Sequence, residues 1–440
     1  MKRFTAGNFA LPIPKDAFHP SLGLDCRHSG DRHPFHGQCK SILLIFIVMV
    51  IVFIPVLSVA NALNDVSIHG SLKSFNLYIE NFPHPDQDGV LTSDRLRLDL
   101  TGQLTPGFDF EFSLDQQLLW VNRTGVVGFA DDSVNRHFDL QKNWHEGERF
   151  SGQLQVDRLN IHGESGGFNW FFGRQAIGFG RISLFSPLDI IAPFPPDAID
   201  VDVRPGVDAI RATRYFGMAG QLGGMAVFGA EKKDNSYLLT LGENFRSVDF
   251  LAIGGRFRGR SMVGIGLAGE LGKVGLKAEI SWYQGIDINR PQGDLYDDFG
   301  IAAVEGWYRF DNRLVLLGEY LFNGVGSDNP SKYPLVARSA PITEGLSFLL
   351  ARHYLLLGSS YQFHPLVTAN GLLIYNIEDH SSLIRPQLVV SLADNLQLDL
   401  FWVITTGRKE QLYPLPQLPV IRSEFGSAGD SGGLLLRWYF

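Results

Sequence analysis

Cysteine is almost missing from this chain of 440 residues. Only Cys26 and Cys39 occur, both before residue 40. If the N-terminus is removed, the mature chain has none, which excludes disulfides and cysteine-based metal sites. A thiol-free chain also suits an oxidising cell envelope. Charge is scarce too, at 19% Asp, Glu, Lys and Arg. Helix-rich soluble proteins usually carry more. Beyond residue 62 no long apolar run occurs, so no spanning helix is expected in the body of the chain. The first 62 residues hold six of the 38 Lys and Arg and three of the 46 Asp and Glu. Residues 63–440 therefore carry 32 basic and 43 acidic residues, a formal charge of −11. That excess argues against a nucleic-acid partner.

The abundant residues are Gly (48) and Phe (33), with 45% hydrophobic residues and a mean hydropathy of +0.02. One apolar stretch, residues 42–54, follows Lys40 and precedes Pro55 and the Ala60-Asn61-Ala62 site. A basic residue, an apolar core and an A-x-A site describe a signal peptide over 40–62, cleaved before Leu63. Residues 1–39, rich in His, Pro and Asp, read as a disordered extension or a misassigned start. The remainder, 63–440, reads as one domain.

From residue 66 onward the dominant period is two. Phe108, Phe110, Phe112 and Leu114 alternate with Asp109, Glu111 and Ser113, and Leu96, Leu98 and Leu100 alternate with Arg95, Arg97 and Asp99. On a strand each set lies on one face. Eighteen such runs fit the chain if the weak run 235–242 is counted. Short connections at 105–107, 311–313, 364–365 and 393–395 alternate with long ones at 120–149, 176–205, 285–298, 324–350 and 407–429. Short turns on one side and long loops on the other are the layout of a transmembrane antiparallel β-barrel. The expected fold is therefore an all-β barrel of about 18 strands, with 16 as the alternative. Aromatic pairs at run ends (Trp282-Tyr283, Trp307-Tyr308, Phe401-Trp402, Trp438-Tyr439) are expected at the headgroup level.

The last run carries the most specific local pattern. Leu434, Leu436, Trp438 and Phe440 share a face, with Leu435, Arg437 and Tyr439 on the other. A chain stopping on such a strand at a terminal Phe resembles the outer-membrane barrel signature read by the assembly machinery. These four residues are the candidate assembly signal.

Segment 176–205 holds Pro187, Pro193, Pro195, Pro196 and Pro205, and Asp189, Asp197, Asp200 and Asp202, with Asp208 just beyond. It also contains Ile190, Ile191, Phe194, Ile199 and Val201, which need burial. A loop this long with apolar residues is expected to fold into the barrel. Gly173-Arg174-Gln175, Gly180-Arg181 and Ser186-Pro187-Leu188-Asp189 are similar to a block of porin-like and alginate-export-type outer-membrane barrels, with Phe179 where Trp or Tyr is more usual. The resemblance covers about 40 residues and implies a channel with an inward loop, without naming a solute.

Arginine on a lipid face near the midplane costs about 2–4 kcal/mol, so rows of it should point inward. Arg256, Arg258 and Arg260 share one face of a run. The candidate constriction comprises Arg174, Arg181, Asp189, Asp197, Asp200, Asp202, Arg204, Asp208, Arg211, Arg214, Arg256 and Arg258. Opposed charges at a narrowing select ions and polar solutes. The glycine run Gly264, Gly266 and Gly269 lies within an alternating strand and reads as small packing residues, not a phosphate loop. No nucleophile, base and orienter are singled out by spacing, and no metal-ligand spacing appears; neither an enzyme nor a cofactor is expected. The reading is a diffusion channel for small polar or charged solutes. An export conduit for an acidic exopolysaccharide, and a closed barrel serving structure, adhesion or catalysis, are the alternatives. Expected partners are outer-membrane lipid and lipopolysaccharide, the barrel-assembly machinery and the solute; a homo-oligomer is left open.

Overall fold

Alternating residues bury one face of a strand and expose the other, and in this chain they do so around a closed ring. The computed structural model describes residues 66–81, 87–123, 134–290, 292–409, 411–412 and 419–440. The signal peptide expected over 40–62 and the stretch before it lie outside the described residues. The wall begins with β1 (Ser67–Ile79), β2 (Gly89–Thr105), β3 (Phe108–Val121), β4 (Phe150–Ser165), β5 (Phe168–Gln175) and β6 (Val207–Phe216). It continues through β7 (Gly220–Phe228), β8 (Ser236–Phe245), β9 (Val248–Phe257), β10 (Arg260–Leu271), β11 (Val274–Gln284) and β12 (Asp298–Arg309). It ends with β13 (Leu314–Asn323), β14 (His353–His364), β15 (Val367–Asn376), β16 (Ser382–Ala393), β17 (Leu396–Thr406) and β18 (Ser431–Tyr439).

Each strand pairs antiparallel with its sequence neighbour, and β18 returns to β1, Tyr439 opposite Ser71 and Ser431 opposite Ile79. Phe440 and Gly70 exchange backbone hydrogen bonds of 3.0 and 2.8 Å, so the seam is paired to the chain end. Eighteen wall strands agree with the larger expected count, and the weak run is the full strand β8.

Among the described residues one further strand joins the wall sheet, Gln141–Glu146, inside what the sequence read as loop. It pairs with the upper part of β4, where β5 has already ended. β4 has 16 residues and β5 only eight, so this segment fills the notch in the wall.

The outer surface is an apolar belt. Leu239 (68% exposed), Val263, Ile265, Leu267, Ile280, Val304, Leu355, Leu357 and Leu400 all face away from the lumen. An apolar surface that runs around the molecule is incompatible with water and fits a bilayer. Only one ring of each aromatic pair joins it. Trp282, Tyr308, Trp402 and Trp438 face out, whereas Tyr283 is fully buried inside, Trp307 packs inward over Gly275, Phe401 stacks on the inward Phe75 at 5.9 Å, and Tyr439 reaches loop residue Asp202. Adjacent residues on a strand point to opposite faces, so a pair cannot supply two rim rings.

Inside, residues 176–206 leave the top of β5 and fold into the barrel. Ile177, Ile182, Phe185, Leu188, Ile190 and Ile191 form one buried apolar cluster with wall residues of β6–β16 and with residues of the outer loop 324–352, among them Tyr333, Ile342 and Leu350. Leu188 is fully buried, and its methyls lie where Cβ atoms on Gly264 and Gly266 would sit, at 2.5 and 2.8 Å. The glycine run of β10 is therefore the socket for this leucine.

Candidate functional site

The lumen has two unlike walls, and loop 176–206 is tied to both. On the β11–β13 side three inward glutamates take the loop's backbone N–H groups. Glu279 accepts from Arg181 N (2.6 Å), Ile182 N (3.1 Å) and Leu188 N (3.2 Å), and from the Ser186 hydroxyl. Glu305 accepts from Ser183 N and Oγ and pairs with Lys277 at 2.7 Å, and Glu319 accepts from Phe185 N at 3.2 Å. Charge-assisted bonds of this kind are the stronger class, and they satisfy amides that an irregular buried loop leaves without partners.

On the opposite side the loop's acids meet wall cations. Lys73 of β1 lies 2.8 Å from Asp200 and 2.9 Å from Asp202. Arg437 of β18 lies 3.2 Å from Asp202 and 2.6 Å from Asp399 of β17, and Tyr439 donates to Asp202 at 2.8 Å. Arg385 of β16 donates to the carbonyl oxygens of Asp197 and Ala198. Burial pushes the carboxyls of Asp189 and Asp197 up. Burial acts on Asp202 as well, but Lys73, Tyr439 and Arg437 outweigh it and hold its carboxyl below the usual range. Beside this contact a ladder of paired charges lines β2–β4. Arg95 meets Asp115 at 2.6 Å, and Arg97 meets Asp99, Asp115 and Asp157 at 2.8, 3.1 and 2.7 Å.

The residues expected at the constriction divide into four groups. Asp189, Arg204, Asp197, Asp200 and Asp202 do lie in the lumen. Arg204 pairs with Asp189 at 2.7 Å, donates to Ala192 O at 2.6 Å and stacks on Phe194. Arg181 and Arg211 are the second group, cations with no carboxylate within 4.0 Å among the described residues. Arg258 is the third. It sits in the two-residue turn between β9 and β10 and donates to Glu344 O and Ile191 O, pinning both loops, while its neighbour Arg260 pairs with Asp294 and Glu344, both at 2.6 Å.

The fourth group corrects the expectation. Arg174 and Asp208 sit opposite one another in register, on the face that carries the outward Phe172 (63% exposed) and Ile210. They pair with each other at 2.8 Å, and both bond the backbone of Phe138, whose segment covers them. They brace the filled notch and do not line the lumen. Arg214 faces out beside Leu222 and over the Phe168 ring at 5.7 Å, at the short-turn end of the barrel. Arg256 faces out beside Tyr237 at the opposite rim, so Arg256, Arg258 and Arg260 do not share a lumen face. Near either rim an arginine reaches headgroups and water, where its lipid-side cost falls to about 0–1 kcal/mol.

Sequence reasoning missed Lys73, Arg437 and the three glutamates as loop anchors, and Asp399 as the wall partner of Arg437. Their signal was present in the alternation, since Arg437 stands opposite Leu436 and Trp438 in facing, and Arg95 and Arg97 oppose a leucine row.

A closed antiparallel barrel of eighteen strands, belted by apolar residues and entered by an inward loop, has the fold of a porin-type transmembrane β-barrel. No protein-family model matches the chain, and no curated protein matches it. Solved structures do. OccAB4 of Acinetobacter baumannii aligns with a TM-score of 0.54 at 10% identity, covering 86% of this chain and 99% of that one. A BenF-like porin from Pseudomonas fluorescens Pf-5 aligns with a TM-score of 0.53 at 12% identity, again covering 86% and 99%. At these identities the likeness is one of fold.

Proposed function

We propose that this chain is an outer-membrane channel passing small polar or charged solutes, with loop 176–206 as its constriction. The observation that carries this reading is the double anchoring of the loop, by amides on Glu279, Glu305 and Glu319 and by Asp200 and Asp202 on Lys73 and Arg437. A segment held on both walls narrows a lumen at a fixed place, and the charges around it select by sign and size. The porin fold of the BenF-like structure supports the same reading. Lipid and lipopolysaccharide would contact the apolar belt. The outward row Leu434, Leu436, Trp438 and Phe440 would be the strand read by the assembly machinery.

An export conduit for an acidic polymer would want a lumen dominated by free Lys and Arg. The ladder of β1–β4 and β18 instead pairs its cations with carboxylates, which weighs against that alternative. Planar-bilayer recording of the purified, folded protein tests the proposal. Discrete conductance steps are expected, and replacing residues 177–203 with a short linker should enlarge them. Folded protein that gives no steps would refute the channel reading.

A further inference from the structure

Above β5 and β6 the wall is not a sheet. β5 ends at Gln175 and β6 begins at Val207, one residue pair beyond the outward Arg174 and Asp208 and just above the belt residues Phe172 and Ile210. Segment 134–140 closes this gap, and its hold on the ends of β6 and β7 is by side chains. Asn135 Oδ1 accepts from Ala230 N at 2.8 Å, Arg136 donates to Gly206 O at 2.8 Å, and Phe138 N donates to the Asp208 carboxylate at 2.8 Å. Among the described residues its one backbone-to-backbone bond runs from Val156 N to Leu140 O, on the β4 side. Wall strands elsewhere meet their neighbours in backbone ladders. A stretch held without a ladder opens more readily than the sheet around it.

The segment has the lumen on one side and lipid on the other. Arg136 reaches Asp157 at 3.2 Å, and Asp157 faces inward, where it meets Arg97 at 2.7 Å. Phe138 covers the outward Arg174 and Asp208, and is itself 60% exposed. Beside it on the outer face lies a pocket of about 160 Å³, lined by Leu114, Leu140, Leu154 and Val156 with Asp139 and Lys142. Leu154 faces out because it stands in one row with Gln116, Leu96, Leu72 and the outward Trp438. Asp139 accepts from Gln141 N at 3.3 Å, and Lys142 has no carboxylate within 4.0 Å among the described residues. An apolar floor beside an uncompensated ammonium suits an alkyl chain that ends in an anionic head.

We propose that segment 134–140 is a side door, which parts from β6 and β7 to join the lumen to the bilayer for a single-chain amphiphile with an anionic head. The chain lies in the outer pocket while the head sits at Lys142. Opening takes Phe138 O away from Arg174, and the freed N–H offers the head its next contact on the way in. This route runs through the wall and not along the pore axis, so it goes beyond the channel reading.

The test uses the full chain in lipid nanodiscs, a hexadecyl sulfonate carrying a diazirine in its chain, and mass spectrometry of the labelled peptides. A chain of that length keeps the probe in the bilayer, so it reaches the lumen only through the wall. Asn135→Cys with Gly229→Cys staples the door: Asn135 Cγ lies 2.9 Å from where a Cβ on Gly229 would sit, within disulfide reach, and residues 63–440 hold no cysteine of their own. Label near Leu114 and Leu154 of the outer pocket is expected in every form. Label on the inward Asp99 and Asp157 should appear in the reduced staple, vanish on oxidation and return with dithiothreitol, and Arg136→Gln should raise it severalfold. Lumen label that ignores oxidation, or that is absent from the reduced and Arg136→Gln proteins alike, overturns the door. Stronger labelling by the matching hexadecyl trimethylammonium probe overturns the anionic head. No current is read, so the outcome is separate from that of the bilayer recordings that test the channel.

Discussion

At the scale of single residues, charge alone did not reveal which way a side chain points. Arg174 and Asp208 are the clearest case. Both strand faces of β6 mix polar and apolar residues, with Asp208, Ile210, Ala212 and Arg214 on one and Val207, Ala209, Arg211 and Thr213 on the other. Neither row is uniformly apolar, so the outward face could not be chosen from sequence, and the covering segment near Phe138 is distant in the chain. If the pair is a brace, Arg174→Leu strands a buried carboxylate and should cost about 3–5 kcal/mol. The double variant Arg174→Leu with Asp208→Val should recover most of it. Chemical unfolding in detergent measures both, and single-channel conductance of refolded Arg174→Leu should match the parent. A clear conductance change with unaltered stability would return Arg174 to the lumen. The Leu188 socket makes a second residue-level prediction. Gly264→Val places carbon where the leucine methyl sits and should cost about 1–3 kcal/mol by overpacking, read by the same unfolding assay.

At the scale of elements, the strands were legible and the loops were legible only in outline. Period two marks a strand whichever way it faces, so even β8, with Leu239 and Leu241 outward and Leu238 inward, could be counted. The inward course of 176–206 followed from its apolar residues. Its anchors did not, because Glu279 and Glu305 look like ordinary lumen polar residues until the loop's amides are set against them. Lys73→Met should free the far end of the loop while the glutamates hold the near end; larger current fluctuations and greater cation preference are expected in bilayer recordings. Unaltered noise and selectivity would show that Lys73 bears no strain from the loop. The outer loops carry a separate latch. Glu424 is buried among Tyr354 OH, Asn376 Nδ2 and Leu350 N, all donating to it, with Asp379 and Tyr333 close by. Burial pushes its carboxyl up to about 7 from an ordinary 4.5. A raised acid contributes fully at pH below its ordinary value and loses that contribution as pH rises through the folded value. The packing of 346–352 on 421–425 should therefore loosen between about pH 5 and pH 8. Hydrogen exchange of 346–352, corrected for intrinsic rate, should show this loss of protection, and Glu424→Gln should flatten it. Equal protection at both pH values would exclude the latch.

At the scale of the whole molecule, the short and long connections alternate because every strand crosses the same belt, and that rhythm was readable before any residue was placed. Unreadable was the division of the interior, with the apolar cluster behind the loop on β6–β16, interrupted by Glu279, Glu305 and Glu319, and the ladder of ion pairs on β1–β4 and β17–β18. Both halves alternate equally well, and only their packing against 176–206 and 324–352 tells them apart. The seam between β1 and β18 governs assembly. Deleting Phe440 removes its two backbone bonds to Gly70 and the ring that covers that glycine. The expected result is a severalfold drop in folded, membrane-inserted protein in cells, scored by heat-modifiable migration on gels. Unchanged insertion would remove the last residue from the assembly signal.

Because residue 440 ends hydrogen-bonded to residue 70, neither β1 nor β18 is left as an edge for another chain to extend. The same adjacency means that the order of strands around the ring is independent of where the polypeptide starts. A circularly permuted gene, joining the last strand to the first by a short peptide and opening the chain at the 377–381 connection, should give the same ring. Such a permutant would carry its final strand at β15, with Tyr375 and Asn376 at the end in place of Tyr439 and Phe440. Comparing its folding in vitro with its insertion in cells would separate what the ring needs to close from what the cell needs to recognise.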